Sequence, residues 1–194
     1  QDKYIKINIE RDNYRIGGFV SGIFGIEIID NGIGFTEHNY ESFCTSDSDY
    51  KVEIGGKGVG RINWLKAFEY VKVNSTYQEN GKILNRVFDF NIDDEIHNEV
   101  LSELNQNVEL STSIKLIDLK QEYREATELS LKDIASKIIE HFATYFVIGA
   151  MPNISISDEE EEIEENFKKC VKLATKEYEC FNLAKSEYPN LYMY

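Results

Sequence analysis

An apolar stretch that runs straight into Asp-Asn-Gly-x-Gly constrains this chain more than any other feature. Glu27 to Phe35 reads EIIDNGIGF, and a second glycine cluster, GGKGVGR, follows at Gly55 to Arg61. Asn-Gly pairs are frequent turn formers, because Gly accepts positive φ and Asn tolerates it. Taken alone, the first cluster reads first as the end of a strand in an ordinary turn and second as one wall of a nucleotide pocket. The second cluster precedes a helical pattern, where glycines let the backbone approach a phosphate and amides at the helix start point at the anion. Lys57 adds a positive charge inside that loop. It lacks the G-x-x-x-x-G-K-[ST] pattern and no strand runs directly into it, so it is neither a P-loop nor a dinucleotide fingerprint. A glycine-rich loop before a helix also serves as a plain hinge.

The rest of the chain sets these clusters in an α+β pattern. Tyr4 to Ile9 alternates, with Ile5, Ile7 and Ile9 on one face and Lys6 and Asn8 on the other, as a half-buried strand does. Phe24 to Ile29 is more uniformly apolar and reads as a more central strand. Thr36 caps a short helix, with Glu37 near its positive end and Phe43 facing inward. Ile62, Leu65 and Phe68 suggest a helical face with Trp64 beside it. Val71 to Tyr77 alternates, Glu79-Asn80-Gly81 turns, and Leu84 to Ile92 forms another strand. Glu95 to Gln106 reads as a polar connection with some helix potential, and Val108 to Leu119 as a strand. Leu129 to Val147 is the clearest helix, with Ile134, Ile138 and Phe142 repeating every four residues beside Ala135 and Tyr145. After Pro152, Ile154 and Ile156 begin a short strand. The order predicts a two-layer sandwich of mostly antiparallel sheet with helices on one face.

Taken together, Asp30-x-Gly32-x-Gly34 at a strand end, a polar segment, and Gly55-x-x-Gly58-x-Gly60 opening a helix resemble the GHKL, or Bergerat-fold, ATPase superfamily. That superfamily includes type II topoisomerase ATPase domains, heat-shock chaperone ATPases, sensor histidine kinases, mismatch-repair ATPases and MORC-type proteins. The resemblance implies ATP as ligand. Asp30, Gly32, Gly34 and Thr112 would then hold adenine, Asp30 accepting from its amino group. Gly55, Gly56, Lys57, Gly58, Val59 and Gly60 would hold the phosphates, and Phe35 to Ile54 would form a lid. Thr112 lies in Leu110-Ser111-Thr112-Ser113-Ile114, where Ser111 stands in place of the family's usual Gly. A Thr on a strand is also what β-propensity alone favours.

The resemblance covers about Tyr4 to Leu119, which divides the chain into a partial ATP-binding domain over 1–120 and, over 121–194, a helix with the start of a transducer-like region. It also implies N-terminal truncation. The family's first box is a helix carrying a water-activating acid and an Mg²⁺-binding Asn, and this chain reaches a strand by Tyr4. Glu10 and Glu27 lie on strands and do not match that box, so no catalytic residue is assigned. The expected activity is that of an ATPase core in which nucleotide binding and hydrolysis gate lid closure and dimerisation, with Mg²⁺ and a homodimer belonging to a larger parent. The chain alone is expected to be inactive. The extra strand-forming stretch Ile83 to Ile92 is nearer the chaperone, mismatch-repair and MORC branches. A non-hydrolysing nucleotide sensor or scaffold, and a sensor histidine kinase catalytic domain, remain alternatives.

Composition limits the partners. The 194 residues carry a formal net charge of -14, which repels nucleic-acid phosphates and anionic lipid. Half of the fourteen comes from one run, since Asp158 to Glu165 holds seven acids. Cys44, Cys170 and Cys180 show no C-x-x-C spacing, which suggests a reducing, cytoplasmic compartment and no metal site. No apolar run approaches a membrane span of about 18 residues, and the opening residues do not read as a signal peptide.

Overall fold

The computed structural model describes residues 2–12, 22–45, 60–124, 130–147, 152–159 and 162. Among these, seven strands form one sheet: β1 (Tyr4–Arg11), β2 (Ile23–Asp30), β3 (Phe68–Glu79), β4 (Lys82–Asn91), β5 (Glu95–Leu104), β6 (Ser111–Leu119) and β7 (Asn153–Ser157). Their order across the sheet is β5-β4-β3-β6-β2-β1-β7. Every pairing is antiparallel except that of β7 with β1. The helices are α1 (Glu37–Cys44), α2 (Gly60–Ala67), α3 (Gln121–Arg124), α4 (Leu131–His141) and α5 (Ala143–Val147).

Register divides the sheet into two unlike faces. Paired residues share a face, so Ile154, Ile5, Asp30, Thr112 and Ser75 form one row and Ile156, Ile7, Ile28, Ile114, Val73 and Phe88 the next. This is the apolar face. Phe43 of α1 packs edge-on against Phe90 and tilted against Phe88, while Leu65 of α2 and Leu131, Ala135 and Ile139 of α4 join the same core. The helices thus cover one face, and the arrangement is the expected two-layer α+β sandwich. The other face carries a row through all seven strands: Ser157, Asn8, Glu27, Lys115, Lys72, Asp89 and His97.

Several local expectations change. Glu95 to Leu104 is an edge strand, not a polar connection: β4 supplies its ladder, and a register shift opposite Val87/Asp89, with Asn98 at φ 54°, absorbs its irregular pattern. The expected single helix Leu129 to Val147 is interrupted at Phe142, which caps α4 at φ -103° and ψ 17°. A capping box between Ser130 and Asp133 starts α4. Its buried line is Leu131, Ala135 and Ile139, with Ile134 and Ile138 partly buried and Phe142 and Tyr145 exposed. Ile62 is exposed, and Phe68 opens β3 instead of extending the α2 face. Beyond residue 120 the chain adds α4 to the same core and β7 to the edge of the same sheet. Among the described residues no helix is long and apolar enough to cross a membrane.

Candidate functional site

The site lies where β2 and β6 end side by side, next to Ser75 within β3. Asp30 closes β2 opposite Thr112 of β6, and Thr112 in turn lies opposite Ser75 of β3. The chain then leaves the sheet through Asn31-Gly32-Ile33-Gly34. Asp30 Oδ1 accepts from the Gly32 amide at 2.7 Å, an Asx turn that fixes the carboxylate against the backbone. A Cβ built on Gly32 would meet that oxygen at 2.7 Å. Ile33 is exposed at the tip.

Gly34 is the tightest point. Its φ is +74°, and a Cβ there would lie 2.7 Å from Ser75 Oγ and 2.8 Å from Tyr77 Cβ. Only glycine meets both demands, because a side chain is strained at this φ and has no volume to occupy. The next residues are held group by group. The Phe35 amide donates to Ser75 Oγ at 2.9 Å, and Ser75 Oγ shares a hydrogen bond with Thr112 Oγ1 at 2.8 Å. Asn39 Nδ2 donates to the Gly34 carbonyl at 2.7 Å. Thr36 caps α1, its Oγ1 accepting from the Asn39 amide at 3.4 Å.

Arg86 of β4 completes this clamp. Its Nη1 donates to the carbonyls of Phe35 at 3.1 Å and Thr36 at 3.4 Å, and its Nη2 to the Glu37 carboxylate at 2.5 Å. Nε lies 3.2 Å from Glu99 Oε1, within ion-pair reach though outside hydrogen-bond geometry. The Tyr40 ring stacks 4.2 Å from the guanidinium. Burial works against the Arg86 charge, but the Glu37 hydrogen bond and neighbouring acids outweigh it and raise the pKa. Burial, with Glu99 beside it, pushes the Tyr40 phenol up. Tyr77 is buried with a hydroxyl that has no hydrogen-bond partner among the described residues, and its pKa is raised, chiefly by burial.

No protein-family model and no curated protein matches the sequence. Solved structures do. The N-terminal domain of a DNA repair protein superposes with a TM-score of 0.54 at 15% identity, over 84% of this chain and 46% of that one. The ATPase region of Saccharomyces cerevisiae topoisomerase II gives 0.52 at 13%, over 83% and 43%. The ATPase and transducer domains of topoisomerase II from Balamuthia mandrillaris give 0.54 at 15%, over 88% and 44%. The fold is that of the GHKL, or Bergerat, ATPases. The chain spans less than half the length of each of these structures.

Within this Bergerat fold Asp30, Gly32, Gly34 and Thr112 come together at one end of the sheet. Gly60 opens α2, whereas Gly55, Gly56, Lys57, Gly58 and Val59 lie outside the described residues. Of the segment from Phe35 to Ile54, Phe35 packs on Phe43 and Phe88 and Glu37 to Cys44 form α1; residues 46–54 lie outside the described residues. Glu10 and Glu27 fall on the other face of the sheet from Asp30, Glu10 pairing with Lys115 and Glu27 accepting from Asn8 and Ser113. Among the described residues no three His, Cys, Asp or Glu side chains gather as a metal site. Sequence reasoning missed Ser75, Tyr77 and Arg86. Each interrupts an otherwise apolar strand face, Val71-Val73-Ser75-Tyr77 in β3 and Leu84-Arg86-Phe88-Phe90 in β4, and that interruption was the available signal.

Proposed function

We propose that the turn from Asp30 to Phe35 binds the adenine ring of ATP, and that the chain is the nucleotide-binding core of a GHKL-type ATPase. The observation that carries this reading is Gly34, a left-handed glycine packed onto Ser75 and Tyr77 with Asp30 and Thr112 paired beside it. A plain turn needs the φ but not the crowding. The residues fit the base: Asp30 offers a carboxylate acceptor for an exocyclic amino group, Thr112 a hydroxyl, and Gly32 and Gly34 let the turn pack closely against Asp30, Ser75 and Tyr77. Support also comes from the ATPase regions among the similar structures. The loop Gly55 to Gly60 then takes the phosphates through main-chain amides.

Nucleotide binding then drives closure of the segment between the two glycine clusters and pairing of two copies. Glu10 and Glu27 face away from Asp30 and are not placed to act on a nucleotide bound there.

Calorimetry tests the assignment. Wild-type protein is expected to bind ATP in preference to GTP, since guanine sets a carbonyl against the Asp30 carboxylate, an unpaired-acceptor cost of about 1–3 kcal/mol. Asp30→Asn is expected to weaken ATP binding sharply with an unchanged circular dichroism spectrum. Equal ATP affinity in the two proteins would remove Asp30 from the site. The non-hydrolysing sensor is the competing reading, and a single-turnover hydrolysis assay separates the two.

A further inference from the structure

β5 is an edge strand whose outer side is neither short nor uniformly charged. Among the described residues it pairs only with β4. Its first half is irregular: Glu95 and Asn98 have φ of 55° and 54°, and the register shift lies opposite Val87/Asp89. From Val100 to Leu104 the ladder with β4 is unbroken. Every second residue of such a stretch turns its amide and carbonyl away from the paired strand. That outer row of donors and acceptors is a template for an incoming strand.

The side chains along this stretch alternate. Leu101 lies opposite Arg86 and Glu103 opposite Leu84, on the face that the helices cover. Glu99 shares that face, since its carboxylate reaches Arg86 at 3.2 Å. The face therefore reads Glu-x-Leu-x-Glu, with Leu101 50% exposed. Val100, 59% exposed, is on the opposite face across from Val87. Residues 91–104 carry Asp93, Asp94, Glu95, Glu99 and Glu103 and no Lys or Arg. Charges commonly guard an edge against pairing. Here the two flanking carboxylates are drawn back onto the sheet, Glu99 by Arg86 and Glu103 by Lys82 at 2.6 Å, and the apolar pair between them is left in water.

We propose that the outer edge of β5 docks an extended basic segment of another protein, which adds as a further strand with Lys or Arg opposite Glu99 and Glu103 and an apolar residue opposite Leu101. Opposite charges and apolar pairs directly across a ladder stabilise it, and like charges destabilise it. A second copy of this chain fits less well. The register that sets Leu101 against itself sets Glu99 against Glu103 twice, and the register centred on Val100 sets Leu101 against Glu99. The Lys82–Glu103 pair does not block the edge, because both side chains are more than half exposed and such a pair exchanges partners at little cost. The docking edge stands whether or not the Asp30 turn takes a nucleotide.

The test is an NMR titration of the isotope-labelled full chain with acetyl-Thr-Lys-Thr-Ile-Val-Lys-Thr-amide and with the same peptide carrying Glu in place of both Lys. Laid antiparallel to β5, the first peptide sets Ile against Leu101, Val against Val100 and its two Lys against Glu99 and Glu103. It is expected to bind saturably, to shift the resonances of Val100 to Leu104 and to slow exchange of those of their amides that face away from β4. Its affinity is expected to exceed that of the acidic peptide roughly 3–10-fold, and to fall roughly 3–10-fold in Glu103→Lys. The comparison of the two peptides needs no variant to fold. Equal binding of both peptides, shifts that fall elsewhere, or no saturable shift up to about 1 mM would overturn the proposal. So would a peptide-free chain whose outward β5 amides are already protected. Protection lost on dilution or in Leu101→Lys would assign the edge to a second copy, and protection that persists at every concentration would assign it to another segment of this chain.

Discussion

Gly34 and Gly81 have nearly the same backbone conformation, φ +74° and +78°, and opposite surroundings. Gly81 follows Asn80, at φ 51°, in the two-residue turn between β3 and β4, where a Cβ would find nothing within 4 Å. This is the hairpin turn that Asn-Gly signals. Gly34 is packed onto Ser75, Tyr77 and Thr112. Conformation alone accounts for Gly81. At Gly34 the protein also brings up a wall, and all three buried polar residues of the described chain, Ser75, Arg86 and Thr112, converge on it or on the residues that follow. An Asn-Gly or Gly-x-Gly string does not distinguish the two cases; what stands behind the glycine does.

Alanine at each position is the sharpest way to break this contrast. Gly34→Ala is expected to lose about 2–5 kcal/mol, a sum of left-handed strain and overpacking, together with nucleotide binding. Gly81→Ala is expected to lose about 1–2 kcal/mol, from strain alone, and to keep nucleotide affinity. Urea midpoints with calorimetry on both variants check this, and similar losses would erase the distinction between wall and turn.

Arg86→Met tests whether the wall is held from behind. Removing one partner of a buried pair costs about 3–5 kcal/mol, and the water-exposed Glu37 and Glu99 carboxylates bring the expected loss nearer to about 2–3 kcal/mol. Amides of residues 35–40 are expected to exchange faster while those of β3 keep their protection. Uniform acceleration would mean that Arg86 serves only global stability. A smaller effect belongs to the cap: Thr36→Ala is expected to lose about 1 kcal/mol and to loosen α1 without altering base preference.

The open face supplies the weakest member of the series. Burial tends to raise the Asp89 carboxyl pKa, but hydrogen bonds from Asn98 and Tyr70 and the Lys72 charge outweigh it and hold the group below its ordinary value. Its contribution is therefore present above the unfolded carboxylate pKa of about 3.9 and is lost as pH falls through the folded one. Wild type is expected to exceed Asp89→Asn by under about 1 kcal/mol at pH 7, the gap closing below roughly pH 4. A gap that widened in acid would reverse the sign argued here.

The strand-end turn of the candidate site was legible in the sequence because it rests on residues with few alternative uses. Asp30, Gly32 and Gly34 follow an apolar run, and their spacing carried the fold resemblance. The clamp was less legible, since an Arg or Ser in a strand is individually unremarkable; only once register puts Arg86 between Leu84 and Phe88 on the apolar face does its cost demand an explanation. The edge strand β5 was hidden for a related reason. With one side paired and most of its side chains in water, it has no apolar face to announce it, and tertiary pairing overrides its weak local preference.

The parallel pairing of β7 with β1 carries a consequence for synthesis. Asn8 and Ser157, hydrogen-bonded partners, are separated by 149 residues. At roughly 5–20 residues per second a ribosome takes about 7–30 s to deliver the second after the first. Throughout that interval the outer edge of β1, with Ile5, Ile7 and Ile9 on one side, lacks the strand that covers it among the described residues. An open apolar edge of this kind is a template for pairing with another chain. The nascent polypeptide thus passes through a period before β7 can pair with β1, and a chain stopped before Asn153 would lack the strand that pairs with that edge.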